Sequence, residues 1–595
     1  MHPRTHHCNQ LRESDTGQTV TLAGWVNNYR DHGGVRFIDL RDRDGVTQIV
    51  FHPEAKDAHA TAQKLRREDV ITVAGKVVLR EGGQNPKLAT GLIEVDAADC
   101  TVLNDSDNPP FIPDEADKVG EETRLRYRYL DLRRPAMQNI LKTRHRVTKI
   151  ARDYFDKLGF FEIETPFLCR STPEGARDYL VPSRLQEGTF YALPQSPQLF
   201  KQILMVGGCE RYFQIARCFR DEDPRADRQA EFTQVDVEMS FATQDEVMDA
   251  NEGLIRELWR QIKGQELPEK LTRMPYAEAI ERFGSDRPDL RYGLELIDVS
   301  DIAKETDFKV FNGALDAGGV VKAVRVPGGA SLSRKQTDAL AEWVKQFGAG
   351  GLPITKIDGG KLSGGIAKFV EPLTAKLIER LEAENGDLIA FGVDAKPAVV
   401  ARVLGELRVK LAADLNLTEG QPDAWLWVVD FPLVEWTEDR TLPAGGRWHS
   451  THHPFTAPNA EDLDKLTSED DATIKSIKSQ AYDLVLNGSE MGGGSVRIHR
   501  PDVQQKVFKL LGIDEEEAKE KFGFLLDALR FGAPPHGGLA FGLDRTVMQL
   551  VGTSNIRDVI AFPKTQNGAD LLTDAPAPVE DKQLKELHLR VRPTA

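Results

Sequence analysis

Apolar and polar positions alternate with a period of two through much of the first hundred residues. Strands are predicted over residues 20–26, 35–40, 46–50 and 70–78. Asp31-His32-Gly33-Gly34 is typical of a turn, and a helix is expected near 58–67. Short strands with one helix suit a small closed barrel such as an OB-fold, although another small β-barrel or a sandwich also fits the pattern.

Composition changes divide the rest of the chain. Polar, proline-rich residues 104–119 are typical of a linker, and residues 124–135 then carry five arginines interleaved with aromatic residues. This arginine segment is either a solvated helix face paired with Glu121 and Glu122 or a contact for a phosphate backbone; composition alone favours the former. The texture changes again over 291–425, where strands and helices alternate with Gly/Ala-rich loops. The end of the chain alternates like a strand or is frayed.

Polar groups concentrate in two places beside apolar strands. Two alternating stretches around a charged loop at 221–229 predict an antiparallel hairpin, in which Gln234, Asp236 and Glu238 share one face. So much charge on a sheet face is costly unless it binds something charged. Farther on, glycine-rich residues 532–542 lead into a helix that begins near Arg545, and helix N-termini attract phosphates.

Charge and cysteine content narrow the class of protein. The formal net charge is −16, which is weak evidence against a nucleic-acid partner because the position of the positive charge matters more than the sum. Five scattered cysteines form no CxxC pair, and no apolar stretch is long enough for a membrane span or a secretory signal. We therefore expect a cytoplasmic protein without a membrane partner.

Three ordered motifs resemble those of the class II aminoacyl-tRNA synthetases. They are Pro166 at the end of a strand, Phe219-Arg220-Asp221-Glu222 in the hairpin, and Gly542-Leu543-Asp544-Arg545 before a helix. Essentially the whole chain resembles the bacterial type of aspartyl-tRNA synthetases, notably at 126–135, 171–179, 195–201, 284–290 and 494–497. The resemblance implies a multidomain α+β fold with an N-terminal OB-fold β-barrel, an antiparallel-sheet catalytic domain and an inserted α/β domain.

The domain boundaries follow from this resemblance and from the changes in texture. The expected regions are an anticodon-binding OB-fold at 1–105, a hinge at 106–140, catalytic parts at 141–290 and 426–565, the insertion at 291–425, and a C-terminal extension at 566–595.

The resemblance assigns residues to aspartate, ATP and magnesium. Lys201 and Arg497 match the residues that hold the side-chain carboxylate of aspartate, and a neutral amide would not satisfy two cations. The other matches to the aspartate site are Glu174, Gln198 and Asp236 around the ammonium group, His452 and His453 in a mobile loop, and Arg220. The matches to the ATP site are Arg220, Asp221, Glu222, Gln229, Phe232, Glu490, Gly542, Leu543, Asp544 and Arg545, of which Arg220 and Arg545 are the catalytic arginines. Asp483 and Glu490 match the Mg²⁺ ligands, but a spacing of seven residues faces them oppositely on a regular strand unless the chain turns at Asn487-Gly488.

The barrel carries the expected tRNA contacts. Phe37 matches a base-stacking residue, for which core packing is the alternative, and Arg30, Gln48, Arg80 and Glu94 match anticodon readers. Family members charge either tRNA(Asp) alone or both tRNA(Asp) and tRNA(Asn). His32 and the loop at Gly83 favour the dual type, unless His32 is merely a turn residue.

The resemblance implies a homodimer that uses ATP and L-aspartate to charge tRNA. The alternatives are a ligase of the same fold that acts without tRNA, a lysyl or asparaginyl enzyme, a strict tRNA(Asp) enzyme, and an inactive RNA-binding relative. The N-terminal barrel argues against a ligase that acts without tRNA. The pair Lys201 and Arg497 argues against a lysyl or asparaginyl enzyme. The presence of Arg220 and Arg545 argues against an inactive relative.

Overall fold

Two units make up the part of the chain that can be described. A computed structural model of the protein describes residues 3–81, 83–172, 175–438 and 445–592. The first unit comprises the described parts of residues 1–147, 222–230 and 547–595, and the second comprises those of 148–221 and 231–546. Among the described helices, none combines the length and apolar character needed to cross a bilayer.

The N-terminal region of the first unit is a closed barrel in the strand order β1-β2-β3-β5-β4. Its strands are β1 (Thr19–His32), β2 (Val35–Arg41), β3 (Val46–Phe51), β4 (Val70–Leu79) and β5 (Ile93–Asn104). The closed barrel confirms the expected OB-fold. Ile38 and Leu40 of β2 point into the core, whereas Phe37 lies outside it, because side chains alternate along a strand.

The strands beyond the barrel form two larger sheets and two short hairpins. In chain order they are β6 (Phe161–Glu162), β7 (Leu180–Pro182), β8 (Phe190–Ala192), β9 (Arg211–Phe219), β10 (Glu231–Ser240), β11 (Thr272–Pro275), β12 (Ile297–Asp298), β13 (Val320–Val326), β14 (Ile354–Asp358), β15 (Lys361–Ser363), β16 (Leu388–Asp394), β17 (Trp425–Val429), β18 (Val434–Glu438), β19 (Gly446–Ser450), β20 (Ala481–Leu486), β21 (Ser489–Val496) and β22 (His536–Gly542). One sheet has eight strands in the order β11-β17-β20-β21-β22-β10-β9-β6 and is antiparallel except at its two edge pairs. The other has five strands in the order β12-β13-β16-β14-β15 and lies within the predicted insertion.

Helices connect and cover these sheets. In chain order they are α1 (Lys56–Ala62), α2 (Glu121–Arg126), α3 (Arg128–Asp131), α4 (Pro135–Lys157), α5 (Gln198–Val206), α6 (Gln244–Leu258), α7 (Tyr276–Phe283), α8 (Ser300–Ala303), α9 (Lys309–Asp316), α10 (Arg334–Trp343), α11 (Ala367–Val370), α12 (Thr374–Leu381), α13 (Pro397–Asp414), α14 (Asp471–Lys475), α15 (Pro501–Leu510), α16 (Glu515–Leu529), α17 (Leu543–Val551) and α18 (Asp581–Glu586). The predicted hairpin corresponds to β9 and β10, and the predicted strand-to-helix switch to β22 and α17. No strand follows α18 in the described residues, so the strand reading of the C-terminal end is not supported there.

The arginine segment is largely tied into the first unit. The buried Arg128 pairs with Asp131 at 2.6 Å and donates hydrogen bonds to backbone carbonyl groups such as that of Ile560, at 2.9 Å. The Glu121 carboxylate, which was expected to pair with the arginines of this segment, accepts a hydrogen bond from Arg557 at 2.7 Å instead. Arg128 is therefore buried and paired within the protein, which differs from the expected solvated helix face, and a phosphate-backbone contact by the segment stays a prediction.

Candidate active site

Four buried charges meet at the centre of the eight-stranded sheet. Lys201, on α5, lies 2.6 Å from the Asp236 carboxylate and 3.2 Å from that of Glu238, both on β10. Arg497, just after β21, makes a two-point contact with Glu238 at 3.1 and 3.3 Å. Burial opposes the ionisation of Glu238, but Arg497 and Lys201 outweigh it and hold its pKa below the ordinary value. The structure thus brings the two predicted aspartate-binding cations together.

Glu238 contacts both predicted aspartate-binding cations, but the sequence analysis predicted only that it lies on a strand face. Its carboxylate lies against the backbone of β22, where a Cβ atom at Gly538 would come within 2.0 Å of it. Gly538 therefore has to be glycine for the carboxylate to reach both cations. A second missed residue is Ser495, whose hydroxyl accepts from Arg497 at 2.7 Å. For Glu238, the sequence signal that could have indicated its role was the i, i+2 spacing of the acidic residues Asp236 and Glu238 on β10.

The two adjacent histidines face different partners. His452 Nε2 lies 3.2 Å from Asp483 Oδ1. Burial alone would lower the pKa of His452, but the carboxylates of Asp483 and Glu490 outweigh it and raise it. For His453, burial together with the charges of Arg497 and Lys201 lowers the pKa to about 3. His453 is therefore neutral at physiological pH, beside the cations.

The carboxylates of Asp483 and Glu490 face the same side of the sheet. Asn487 and Gly488 have positive φ values of 52° and 80° and turn the chain between β20 and β21. This turn places Glu490 opposite Val485, which shares a face with Asp483, and a register shift between Leu484 and Val485 then places Gly493 opposite Asp483. The turn at Asn487-Gly488 thus explains how two residues seven positions apart face the same side.

These two carboxylates fit a divalent cation. A Cβ atom at Gly493 would lie 2.4 Å from Asp483 Oδ1 and 3.7 Å from Glu490 Oε1, so both oxygens border the same small space. Desolvation and the charge of Asp483 raise the pKa of Glu490, and a bound cation would favour its ionised form. Carboxylate oxygens are the donors that Mg²⁺ prefers.

The predicted ATP residues have different surroundings. The Arg220 guanidinium lies 5.0 Å from the centre of the Phe232 ring, and Arg545 donates to the backbone carbonyl of Glu490. Leu543 is buried in the core, and the Asp544 carboxylate accepts from the backbone of Thr233 at 2.7 Å. The Leu543 side chain therefore does not reach a ligand, and Asp544 anchors α17 to β10.

The remaining ATP candidates lie on the hairpin loop. In the second unit, the Asp221 backbone donates to the carbonyl of Arg177 at 3.0 Å. In the first unit, Glu222 pairs with Arg228 at 3.1 Å, and the Gln229 side chain accepts from the backbone of Lys564 at 2.9 Å. Gly542 completes β22 immediately before α17.

Buried polar atoms without a hydrogen-bond partner mark the same site. Within the described residues they include Gln198 Nε2, Arg220 Nε, His452 Nδ1 and His453 Nε2. Most buried polar groups in proteins are hydrogen-bonded, so these four atoms offer hydrogen-bonding capacity that a polar ligand could use.

Glu174 lies outside the described residues, so its predicted contact with the ammonium group stays a prediction. The loop that follows it is held by Gln195, which the sequence assigned no role of its own. The Gln195 side chain exchanges hydrogen bonds of 3.0 and 2.9 Å with the backbone of Ala176.

The predicted anticodon readers form one hydrogen-bonded network on the barrel. Gln48 Oε1 accepts from Arg30 at 3.0 Å and from Arg80 at 2.7 Å, and its amide donates to Glu94 at 2.6 Å. Phe37, which pairs with Arg30 across the strands, is not part of the barrel core. The face therefore combines an accessible aromatic ring with guanidinium and carboxylate groups, which suits single-stranded bases.

Of the two candidate discrimination residues, one ends a strand of the barrel and the other lies in a loop. The exposed His32 ends β1, and its ring makes an edge contact with Phe37 at 6.3 Å between ring centroids. Gly83 adopts a positive φ of 78° in the loop after β4. His32 is thus a turn residue that also borders the aromatic ring.

Comparison with known proteins identifies two family matches. Residues 120–566 match the family described as tRNA synthetases class II (D, K and N), and residues 20–103 match the OB-fold nucleic acid binding domain.

Curated relatives match over nearly the full length. The chain is 54% identical to the aspartate–tRNA(Asp/Asn) ligase of Geobacillus sp. (strain WCH70), covering 99% of this chain and 98% of the relative. It is also 54% identical to the enzyme of that name from Bacillus subtilis (strain 168), covering 100% and 99%. The aspartate–tRNA ligase of Staphylococcus carnosus (strain TM300) is 52% identical, with 100% of both chains covered.

Solved structures show the same fold at lower identity. The asparaginyl-tRNA synthetase from Pyrococcus horikoshii complexed with asparaginyl-adenylate superimposes with a TM-score of 0.58 at 19% identity, covering 95% of this chain and 99% of that one. A putative aspartyl-tRNA synthetase from Leishmania major Friedlin gives a TM-score of 0.56 at 21% identity, covering 94% and 93%.

Proposed function

The chain belongs to the class II tRNA synthetases of the aspartate, lysine and asparagine group, and we propose that it is an aspartate–tRNA ligase that charges both tRNA(Asp) and tRNA(Asn). The observation that carries the choice of amino acid is the buried pair of cations, Lys201 and Arg497. Two fixed cations favour a second carboxylate on the substrate, and the amide of asparagine would leave them without charge compensation. Lysine would add a third positive charge.

ATP is the second substrate. The α-carboxylate of aspartate attacks the α-phosphorus of ATP, the bond to the β-phosphate bridging oxygen breaks, and pyrophosphate leaves with aspartyl-adenylate bound. A terminal hydroxyl of the tRNA then attacks the activated carbonyl and releases AMP. Arg220 stabilises the charge that develops on the α-phosphate, and Arg545 neutralises the leaving group. Positioning and electrostatics suffice for this chemistry, so no nucleophilic side chain is required.

We also propose that Asp483 and Glu490 bind Mg²⁺. Both carboxylates border the space at Gly493; His452 contacts the carboxylate of Asp483, and Arg545 donates to the backbone carbonyl of Glu490. A divalent cation held there would supply charge neutralisation to the phosphate oxygens. Asp236 compensates Lys201, and His453 remains an uncharged hydrogen-bonding group beside the amino acid.

Dual tRNA use is the finer part of the proposal. The relatives from Geobacillus and Bacillus subtilis carry the name aspartate–tRNA(Asp/Asn) ligase. His32 borders Phe37 at the end of the barrel face, where it can influence a base that stacks on the ring. A strict tRNA(Asp) enzyme remains the alternative.

A homodimer is proposed from an exposed apolar surface. Phe161, Leu168, Leu180 and Leu185 have exposed fractions of 62, 53, 59 and 81%. Phe161 lies on β6, which is an edge strand of the eight-stranded sheet. Exposed apolar side chains favour a protein partner, and a second copy would cover the same side chains on both chains. We place the enzyme in the cytoplasm.

The test is ATP–pyrophosphate exchange driven by each of the three amino acids of the family. We expect exchange with aspartate only, and loss of it in Arg220→Ala. Arg217→Ala is the matched control, because Arg217 pairs with Glu231 at 2.5 Å on the same hairpin. Exchange driven by asparagine or lysine instead of aspartate would overturn the proposal.

A further inference from the structure

We infer that Asn487 and Asp423 are positioning residues that set the orientation of the hairpin carrying Asp483 and Glu490. The inference rests on the proposed function, because it concerns the cation site of the ATP reaction. It also assigns a role to the two segments that connect the five-stranded sheet to the catalytic sheet, at 284–296 and 415–425. These segments hold the turn of the hairpin from two directions.

Asn487 ties the turn to the returning segment through backbone and side chain together. Its backbone donates to the carbonyl of Ala424 at 3.1 Å, and its side-chain oxygen accepts from the Ala424 backbone at 2.9 Å. Its amide nitrogen donates to Asp423 Oδ1 at 2.9 Å. One residue at the tip of the turn therefore makes three hydrogen bonds, two of them through its side chain, which leaves the turn little freedom to rotate.

Asp423 is itself held by a rigid support. Its second oxygen accepts from Trp259 Nε1 at 2.9 Å and from Lys263 at 2.8 Å. Trp259 is fully buried and packs edge-on against Trp425, with 4.7 Å between ring centroids. Asp423 thus links the turn to the packed core, and both of its oxygens are used.

The connecting segment at 284–296 packs against the other side of the turn. A Cβ atom at Gly488 would lie 3.2 Å from the Cβ of Asp289, so the turn packs directly against that residue. Asp289 is fixed by Arg291 through its carboxylate at 2.6 Å and by Arg408 through its carbonyl at 2.9 Å. Arg408 lies on α13, the helix that leads into the returning segment. The insertion is therefore connected to the turn from both sides.

Orientation of this turn decides whether the two carboxylates can act together. Asp483 and Glu490 share a face because the turn at Asn487-Gly488 sets Glu490 opposite Val485, which lies on the same face as Asp483. A slip by one residue would carry a side chain to the opposite face of the sheet. A residue that pins the tip of the hairpin therefore acts on cation binding without touching the cation, as outer-shell partners do.

A charge swap tests the inference. Asn487→Asp keeps a residue that tolerates positive φ but places a carboxylate against Asp423. We expect the Mg²⁺ concentration for half-maximal exchange to rise about tenfold, with the KM for aspartate changed less than twofold. Adding Asp423→Asn restores a donor opposite the new carboxylate, and we expect the double variant to return to within about threefold of the wild type. Asn487→Gly keeps the backbone conformation but loses the side-chain hydrogen bonds. We expect it also to raise the Mg²⁺ concentration for half-maximal exchange.

A direct binding measurement separates this inference from the proposed function. Mn²⁺ binding in the presence of a non-hydrolysable ATP analogue, followed by electron paramagnetic resonance, needs no catalysis. The control is Asn385→Ala, because Asn385 supports the Gly359-Gly360 turn in the five-stranded sheet. Weaker Mn²⁺ binding in Asn487→Asp, rescue by the swap and wild-type binding in the control are expected. Unchanged Mn²⁺ affinity in Asn487→Asp, absence of rescue, or an equal loss in the control would overturn the inference; a wild type without aspartate-driven exchange would instead overturn the proposed function.

Discussion

Arg497 holds the Glu238 carboxylate at two points, 3.1 and 3.3 Å, deep in the sheet. The same carboxylate also lies 3.2 Å from Lys201. A single acidic residue therefore arranges both cations that we propose for the substrate side chain.

Removal of Glu238 should cost both stability and amino-acid binding. Glu238→Ala leaves two buried cations with one remaining carboxylate, and loss of one partner of a buried pair costs about 3–5 kcal/mol. Denaturant unfolding measures this loss. Asp153→Ala is the control, because it breaks an exposed pair with Lys149 and should cost less than about 0.5 kcal/mol. Equal costs for the two variants would contradict the role given to Glu238.

The stability of the protein should fall with acid because of His453. Its folded pKa of about 3 lies below the ordinary value of 6.5, so the unfolded chain binds the proton first. The contribution of His453 is complete above about pH 6.5 and is lost towards pH 3, at about 1.4 kcal/mol per pH unit. Unfolding of the wild type and of His453→Gln at pH 7 and pH 5 measures the difference. A slope that the substitution leaves unchanged would remove His453 from this account.

Phe37→Ala should weaken tRNA binding without affecting adenylate formation. The ring lies outside the barrel core, and stacking of one base is worth about 1–3 kcal/mol. We expect a roughly tenfold or larger increase in the Kd for tRNA(Asp), measured by filter binding, with unchanged ATP–pyrophosphate exchange. Reduced thermal stability in place of weaker binding would show that Phe37 is a packing residue.

His32→Leu should raise the preference for tRNA(Asp) over tRNA(Asn). Its ring contacts Phe37, so the change alters the surface beside a stacked base. The expected change in the ratio of kcat/KM corresponds to about 1–3 kcal/mol. The ratio is measured with both tRNAs at the same salt concentration, because salt changes all phosphate contacts together. An unchanged ratio would show that His32 serves only the turn.

Local patterns predicted the barrel and the two motif strands well, because alternation and turn residues determine them directly. The shared face of Asp483 and Glu490 follows from the turn at Asn487-Gly488 that the sequence suggested, whereas the register shift that sets Gly493 opposite Asp483 was not predictable from spacing. The role of Glu238 was also hidden, because its partners come from α5 and from the end of β21. Leu543 and Asp544 belong to a ligand-binding motif by sequence, but their side chains serve packing and a backbone contact.

The most direct test of the central claim is charging of labelled aspartate onto purified tRNA(Asp) and tRNA(Asn), side by side. Our account predicts charging of both tRNAs with similar kcat/KM. Charging of tRNA(Asp) alone would contradict the dual specificity, and charging of neither would contradict the proposed enzyme.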